Sequence, residues 1–448
     1  MPAKPDVEAS RQATESTSAR LTKPTRTRIG MLLLVLMATT VNYVGRSNLS
    51  IVAKPVSSEF HLNPVQMGHL FSAFAWSYAL ATIAGGFLVD RLGARLVYGL
   101  AQFSWSAATF ALAFAGGFSS LFGLRLLVGL TESPAFPANN RVVTLWFPQR
   151  ERGKATGTYV MGQYIGTALL TPLLAWMAVR FGWRSVFLII GAVGILGSLV
   201  WLLFYRDPLA CKWMNQAELD KITNGGALVH GTAREKVQWS QVRQLCLERQ
   251  IWAICIGKFA IMSALYFLLT WFPAYLQDQR HMTVFNASFA TTLPYLAATI
   301  GVFIGGSWSD WLLRRGMQIS PARKIPIVSG FLGATSMVLA NRTSSNSLAL
   351  AIFTVAFFAQ GISSTSWAII AEVAPRKLVG LTGGICNFAG NLAGIVTPTV
   401  IGHILQATGS FARVLVFVAC TGVVGALSYT VLIGRIHRIE LNETGKPI

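Results

Sequence analysis

Long apolar segments recur twelve times along this chain, and they restrict its fold more than any other feature. Each has roughly 18–25 mainly apolar residues, which is enough for a helix to cross ~30 Å of hydrocarbon. Lipid cannot satisfy an exposed backbone, and the segments lack the alternating pattern of a barrel, so continuous helices are expected. We therefore predict an all-α membrane protein with twelve transmembrane helices, near residues 29–51, 67–89, 96–115, 119–140, 156–178, 184–204, 251–276, 287–310, 325–341, 347–371, 380–404 and 412–434.

The net charge of +20 suggests a nucleic-acid partner, but the distribution of the basic residues argues against one. If the helices alternate in direction, most of the 37 lysines and arginines fall in loops on one side of the membrane. An excess of Lys and Arg in cytoplasmic loops is the positive-inside pattern of membrane proteins. The pattern predicts that both termini are cytoplasmic.

The longest polar interruption divides the twelve segments into six and six. We predict two pseudo-symmetric six-helix bundles, 29–205 and 251–434, joined by a cytoplasmic linker at 206–250. The polar residues 1–28 lack the apolar core of a signal peptide and predict a disordered cytoplasmic tail. Residues 435–448 form the predicted cytoplasmic C-terminal tail.

A short motif follows both the second and the eighth segment. In each copy a glycine stands four residues ahead of an aspartate and a basic cluster: Gly86 precedes Asp90 and Arg91, and Gly306 precedes Asp310. Two repeated halves with a site between them are typical of secondary transporters. The first copy, which extends to Arg95, resembles the signature loop of the major facilitator superfamily, and the second resembles its degenerate form.

In that family the aspartate pairs across the interface between the halves and holds the outward-open state. The resemblance therefore implies a gating role for four residues, namely Asp90, Arg91, Arg95 and Asp310.

Arg46 lies about two-thirds of the way across the first segment. An ionisable group there costs at least ~2.5–3.5 kcal/mol on insertion scales, so it indicates function. Asn42 and Tyr43 precede Arg46 by four and three residues and share its helix face. Because a guanidinium forms a two-pronged hydrogen bond with a carboxylate, we predict that Arg46 anchors an anionic substrate. The alternative is a structural ion pair or a side chain that reaches the outer surface.

Glu132 and Arg125 lie seven residues apart in the fourth segment, on one helix face and about 10 Å from each other. A carboxylic acid in a low-dielectric core can load and release protons near neutral pH. Glu132 is therefore the predicted proton carrier, and a permanent salt bridge to Arg125 or Arg46 is the alternative. Pro134 and Pro137 predict a bend beside the site.

Two further ionisable residues have open roles. Lys258, about two turns inside the seventh segment, either reaches back to the cytoplasmic surface or adds a second positive contact for a dianion. Glu372 closes the tenth segment, where an end-of-helix salt bridge or proton transfer would suit it.

Several segments together resemble the bacterial hexonate and aldarate transporters of the anion:cation symporter family, which include galactonate, glucarate and galactarate carriers. The resemblance covers almost the whole chain. Its matching stretches include NYVGRSNLS from Asn42, ESPAFPANNR from Glu132, TWFPAYL from Thr270 and GLTGGICNFAGNLAGIVTP from Gly380. It implies proton-coupled import of a sugar acid through a bacterial inner membrane, with Glu132 and Arg125 in proton coupling and no cofactor. It also implies that substrate is bound by Tyr43, Arg46, Tyr78, Gln163, Ser364, Ser366, Trp367 and Asn387.

The chain departs from this pattern at two positions. Gly45 stands where those carriers usually have an aspartate, and Lys258 stands where a glutamine is expected. Both changes make the cavity more cationic. Either Glu132 alone carries the proton, or the coupling ion or its stoichiometry differs. The alternative function is uncoupled facilitation, or exchange of a dicarboxylate or aromatic acid.

Other classes of function fit less well. The five cysteines are far apart without a CxxC spacing, which disfavours metal or disulfide chemistry. Efflux of cationic drugs predicts a net acidic cavity, and a membrane sensor predicts long cytoplasmic extensions. No phosphate loop, metal cluster or nucleophile motif indicates an enzyme. We expect a monomeric transporter whose partners are a small organic anion, a proton and lipid.

Overall fold

The structure, a computed structural model, describes residues 23–229, 239–375 and 378–440. The described chain is all-helical, which confirms the predicted fold class. Six long helical segments precede the linker: α1 Thr27–Ile51, α2 Pro64–Leu92, α3 Ala94–Ala111, α4 Phe118–Glu132 with Ala135–Trp146, α5 Arg152–Phe181 and α6 Trp183–Phe204. Six follow it: α7 Arg249–Thr270 with Phe272–Asp278, α8 Val284–Arg314, α9 Ile319–Ala334 with Thr335–Arg342, α10 Asn346–Ser363 with Ser366–Val373, α11 Val379–Thr408, and α12 Phe411–Leu427 with Ser428–Leu432.

Nine described helices are long and apolar enough to cross a membrane, and α2, bent by 53°, makes a tenth. The two remaining predicted spans are α4 and α9, which are each divided into two shorter pieces. In α4 the division follows Glu132 and falls at Ser133 and Pro134, where the sequence predicts a bend. A helix interrupted in this way places irregular backbone beside a site in the bundle interior.

The two sets of helices repeat each other in detail. Below, the N-terminal half means residues 23–205 and the C-terminal half means residues 249–440. After α1 and after α7 the chain makes the same left-handed turn, at His61 (φ 52°) and at His281 (φ 53°). The next helix then begins with a side-chain cap in both halves, from Asn63 onto Gln66 N and from Thr283 onto Asn286 N.

The face on which α1 begins, here called the terminal face, also carries the linker and the end of the described chain. A short linker helix, Gln216–Asn224, is held there by the buried Glu218, which accepts hydrogen bonds from Thr27 N at 3.0 Å and from Arg28. The C-terminal segment returns across the other half, where Ile439 N donates to Val373 O at 2.8 Å. Parts of the predicted tails and linker, 1–22, 230–238 and 441–448, lie outside the described residues.

At the face opposite the terminal face, the two halves are in close contact. A Cβ on Gly68 of α2 would lie 2.7 Å from Pro398 O of α11, and one on Gly402 would lie 2.6 Å from Pro64 O. Lys54 and Asp278 form an ion pair across the halves at 3.0 Å. The halves are also joined between α8 and α5, where Thr292 donates a hydrogen bond to the carbonyl of Ala168 at 2.9 Å.

One stripe of α11 shows that this closure does not extend to the terminal face. Pro398 and Gly402 touch α2, and Ile395 packs against the core of the N-terminal half. About two and three turns nearer the terminal face than Ile395, Phe388 is 44% exposed and Gly384 is exposed. The halves are therefore joined at the opposite face and separated toward the terminal face.

Candidate functional site

A buried ion pair joins α1 to α4 in the N-terminal half. Arg46 Nε donates to Glu132 Oε1 at 2.6 Å, and Arg46 Nη2 contacts the same oxygen. Arg46 is 8% exposed and Glu132 is 1% exposed. The Asn42 side chain lies beside the Glu132 carboxylate, one helical turn before Arg46. Of the alternatives that the sequence left for Glu132, the structure contains the pair with Arg46.

Aromatic rings surround the guanidinium of Arg46. Its Cζ atom lies 4.6 Å from the ring centre of Tyr43, 4.6 Å from that of Phe74 and 4.8 Å from that of Tyr78. Phe74 and Tyr78 stack on each other with centroids 5.3 Å apart. Cation–π contacts of this kind strengthen when the cation is removed from water. The rings therefore hold the guanidinium in a fixed place beside the Glu132 carboxylate.

Arg125 supplies a second positive charge to the same region. It is 3% exposed, and its Cζ atom lies 5.9 Å from the ring centre of Phe74. Its Nε is a buried donor without a hydrogen-bond acceptor among the described residues. A buried donor that lacks an acceptor costs free energy, and an anion would remove that cost.

Two glycines allow α2 and α4 to approach closely enough to form this site. A Cβ on Gly129 of α4 would lie 2.2 Å from Phe74 O, and one on Gly85 of α2 would lie 3.0 Å from Pro134 Cα. Small residues permit such backbone contact between membrane helices. The contact places Phe74 and Tyr78 of α2 beside the charged residues of α1 and α4.

The C-terminal half approaches the site through Tyr266 of α7. Tyr266 is 8% exposed, acts electrostatically on Arg46, and packs against α11, where a Cβ on Gly394 would lie 2.5 Å from its ring. Neither Tyr266 nor Phe74 was predicted from the sequence as a site residue. An aromatic residue in an apolar helix gives no signal that separates a site from a core.

The predicted residues of the C-terminal half lie on α7, α10 and α11. Lys258 is 3% exposed and lies beside Cys386, and Ser366 is fully buried against Tyr429. Ser364 is half-buried where α10 divides, and Asn387 is exposed on α11. Gln163 is half-buried on α5 of the other half, and the Trp367 side chain lies outside the described side chains. Tyr43, Arg46, Tyr78, Arg125 and Glu132 thus form one cluster in the N-terminal half. The contacts described for Lys258 and Ser366 lie within the C-terminal half, so their part in the same site stays a prediction.

The predicted gate residues make their ion pairs within their own halves. Asp90 pairs with Arg141 at 3.4 Å, and Asp310 pairs with Arg323 at 2.8 Å. Arg323 also approaches Glu372, at 3.6 Å.

The two arginines of the signature loop are both exposed. Arg95 donates twice to the carbonyl of Leu202, at 3.1 and 2.8 Å, again inside the N-terminal half. A pair across the halves at the terminal face remains a prediction for the state in which that face is closed.

Within the ranges that the structure describes, no group of three or more His, Cys, Asp and Glu side chains is arranged to hold a metal ion.

Comparison with known proteins gives consistent matches over nearly the full chain. The family model described as Major Facilitator Superfamily matches residues 35–398. A D-galactonate transporter of Escherichia coli O6:H1 is 42% identical over 422 residues, which cover 93% of this chain and 98% of that protein. A probable galactarate/D-glucarate transporter of Escherichia coli K12 is 39% identical over 432 residues, which cover 94% and 96%.

A solved structure has the same fold. It is a bacterial homologue of the human lysosomal transporter Spinster, with a TM-score of 0.72 at 20% identity, and the match covers 91% of this chain and 97% of that one.

Proposed function

The chain belongs to the major facilitator superfamily and is a membrane transporter rather than an enzyme, and we propose that it imports a sugar acid together with a proton. The substrate class follows from similarity to the D-galactonate and galactarate/D-glucarate transporters. A hexonate, aldarate or hexuronate carries a carboxylate and several hydroxyl groups. The cluster around Arg46 offers a guanidinium for the carboxylate. The predicted residues Gln163, Ser364, Ser366 and Asn387 offer amide and hydroxyl groups for the hydroxyl groups of the substrate.

The observation that carries the proposal is the buried pair of Arg46 and Glu132. Arg46 already contacts a carboxylate through Nε and Nη2, so an incoming carboxylate that binds this edge of the guanidinium must compete with Glu132. A planar guanidinium suits either carboxylate equally well. Binding of the anion at this edge therefore requires Glu132 to leave.

A displaced Glu132 remains in a nearly water-free region. A buried carboxylate that has lost its positive partner is strongly unfavourable, and protonation removes the charge. Anion binding and proton uptake are thereby linked at one residue. This exchange needs only one acid, so it operates although Gly45 supplies no carboxylate.

Positive-inside topology assigns the terminal face to the cytoplasm of a bacterial inner membrane. The conformation joined at the opposite face is then the inward-open state of an alternating-access cycle. In the outward-open state Asp90, Arg91, Arg95 and Asp310 are proposed to close the cytoplasmic side. The transporter would work as a monomer, because both halves of the site lie in one chain.

The C-terminal half completes substrate recognition in this proposal. Ser364, Ser366, Trp367 and Asn387 are proposed to bind the substrate together with Tyr43, Tyr78 and Gln163, as the resemblance to the sugar-acid carriers implies. Lys258 would then meet a second carboxylate, which favours a dianionic aldarate over a monoanionic hexonate. Uncoupled exchange of a dicarboxylate or aromatic acid is the competing function for the same cavity.

Uptake by proteoliposomes tests the proposal. The wild type should concentrate a sugar acid when the outside is acidic, and Glu132→Gln should lose this accumulation while retaining counterflow exchange. Arg46→Ala should lose both. Glu372→Gln is the matched control, because its partner Arg323 is at the terminal face of the same half. Accumulation by Glu132→Gln against a gradient would refute proton coupling at this residue.

A further inference from the structure

Two histidines face each other across the seam, which here means the contact between α2 and α11 where the two halves are joined. His69 of α2 and His403 of α11 have ring centroids 6.1 Å apart and ring planes at 89°. Each follows one of the touching glycines, Gly68 and Gly402, so the closest backbone contact between the halves fixes their separation. His69 is half-buried and His403 is exposed.

The ring separation suits a shared metal ion. Zinc lies ~2.0–2.1 Å from an imidazole nitrogen, which puts two rings on one ion at roughly 5–6 Å between centres. Small rotations about the side-chain torsions cover the remaining difference. Water would supply the other positions of the coordination sphere, because the site opens to solvent.

The hydrogen bond that the His403 ring makes determines which of its two nitrogens can bind a metal. Its Nδ1 lies 2.9 Å from Thr399 O, and because a carbonyl can only accept, Nδ1 carries the proton. Nε2 is then the basic nitrogen. Histidine ligands of metals commonly donate their other ring N–H to a backbone carbonyl, which fixes the tautomer and the ring orientation.

We propose that His69 and His403 form a site for zinc or a similar transition-metal ion that exists only while the halves are joined at this face. Opening the face separates α2 from α11 and leaves each imidazole to bind alone. Simultaneous binding by two tethered ligands gains about 100-fold over one. Since an ion shifts a conformational equilibrium by its difference in affinity for the two states, bound metal holds this face closed and inhibits transport.

Two other pairs of ionisable groups at this face are engaged with each other. Lys54 pairs with Asp278, and Glu59 pairs with Arg184 at its own edge of the N-terminal half. His61 and His281 lie in the two left-handed turns.

The first test is binding, which does not depend on the identity of the substrate. The purified full chain in detergent is melted with and without ZnCl₂ at pH 7.5. Metal that binds only the folded, joined state should raise the melting temperature. His69→Gln and His403→Gln should each lose the shift, whereas a shift that survives in both variants would overturn the proposal.

The second test is inhibition of counterflow in proteoliposomes by ZnCl₂, with reversal by EDTA. Either histidine variant should need at least about tenfold more zinc for half-inhibition. Two controls should behave as wild type: His61→Asn with His281→Asn, chosen because Asn tolerates positive φ, and Cys246→Ser with Cys420→Ser, which removes the exposed thiols. Zinc inhibition that depends on the controls and not on His69 and His403 would overturn the proposal.

Discussion

Replacing Glu132 by glutamine should make this protein bind its anion more tightly while uncoupling it from protons. In the wild type the substrate must displace a carboxylate from Arg46, and in Glu132→Gln it meets only a neutral amide. The Nε–Oε1 distance of 2.6 Å puts the two charge centres about 4 Å apart, an attraction of about 4 kcal/mol at an effective dielectric constant of 20.

Part of that attraction remains in the variant, because the glutamine oxygen can still accept a hydrogen bond from Arg46. Such a bond contributes about 1–1.5 kcal/mol. The competition removed is then about 2.5–3 kcal/mol, which corresponds to a roughly 60- to 150-fold lower Kd for the anion at pH 8.

The pH dependence gives the same prediction a second readout. In the wild type, protonation of Glu132 frees Arg46, so anion affinity should rise as the pH falls. In Glu132→Gln there is no such proton, and affinity should be nearly independent of pH. Isothermal titration of the detergent-purified proteins with a sugar acid between pH 5.5 and 8.5 measures both effects. Unchanged or weaker affinity in the variant at pH 8 would refute the idea that Glu132 competes with substrate.

Three further predictions concern packing, specificity and the closed seam. Gly129→Ala should abolish transport and lower thermal stability, since its Cβ would lie 2.2 Å from Phe74 O; wild-type melting and uptake would contradict the packing argument. Lys258→Gln should weaken binding of a dicarboxylate at least about tenfold more than that of a monocarboxylate, which competition binding can measure. Lys54→Ala removes the ion pair with Asp278 and should shift the equilibrium away from the joined state by no more than about fivefold, because the pair is half exposed. Labelling of a cysteine placed in the seam measures that shift, and a larger effect would mean that the pair does more than hold the face.

The sequence predicted the helical architecture because segment length and apolarity are local properties. Every predicted span has a counterpart among the described helices, although α2 is bent and α4, α7, α9, α10 and α12 each consist of two pieces. The division of α4 was foreseeable from Pro134. The tighter eight-residue 3-10 segment Thr335–Arg342 at the end of α9 has no such sequence signal.

The charged residues of the site could be predicted from the sequence. Arg46, Arg125 and Glu132 stand out because ionisable residues are rare in membrane helices. Which arginine pairs with Glu132 depends on how α1 packs against α4, and this is fixed by tertiary contacts that no single segment encodes. Phe74 and Tyr266 were missed for the same reason, because their role depends on the residues that they meet on other helices.

Proton coupling, as proposed here, requires that the buried ion pair of Arg46 and Glu132 opens when an anion binds. The most direct measurement is the proton uptake that accompanies substrate binding, read with a pH indicator in weakly buffered, detergent-purified protein. The wild type should take up close to one proton per anion bound at pH 7.5, and Glu132→Gln should take up none. Anion binding to the wild type without proton uptake would contradict the account.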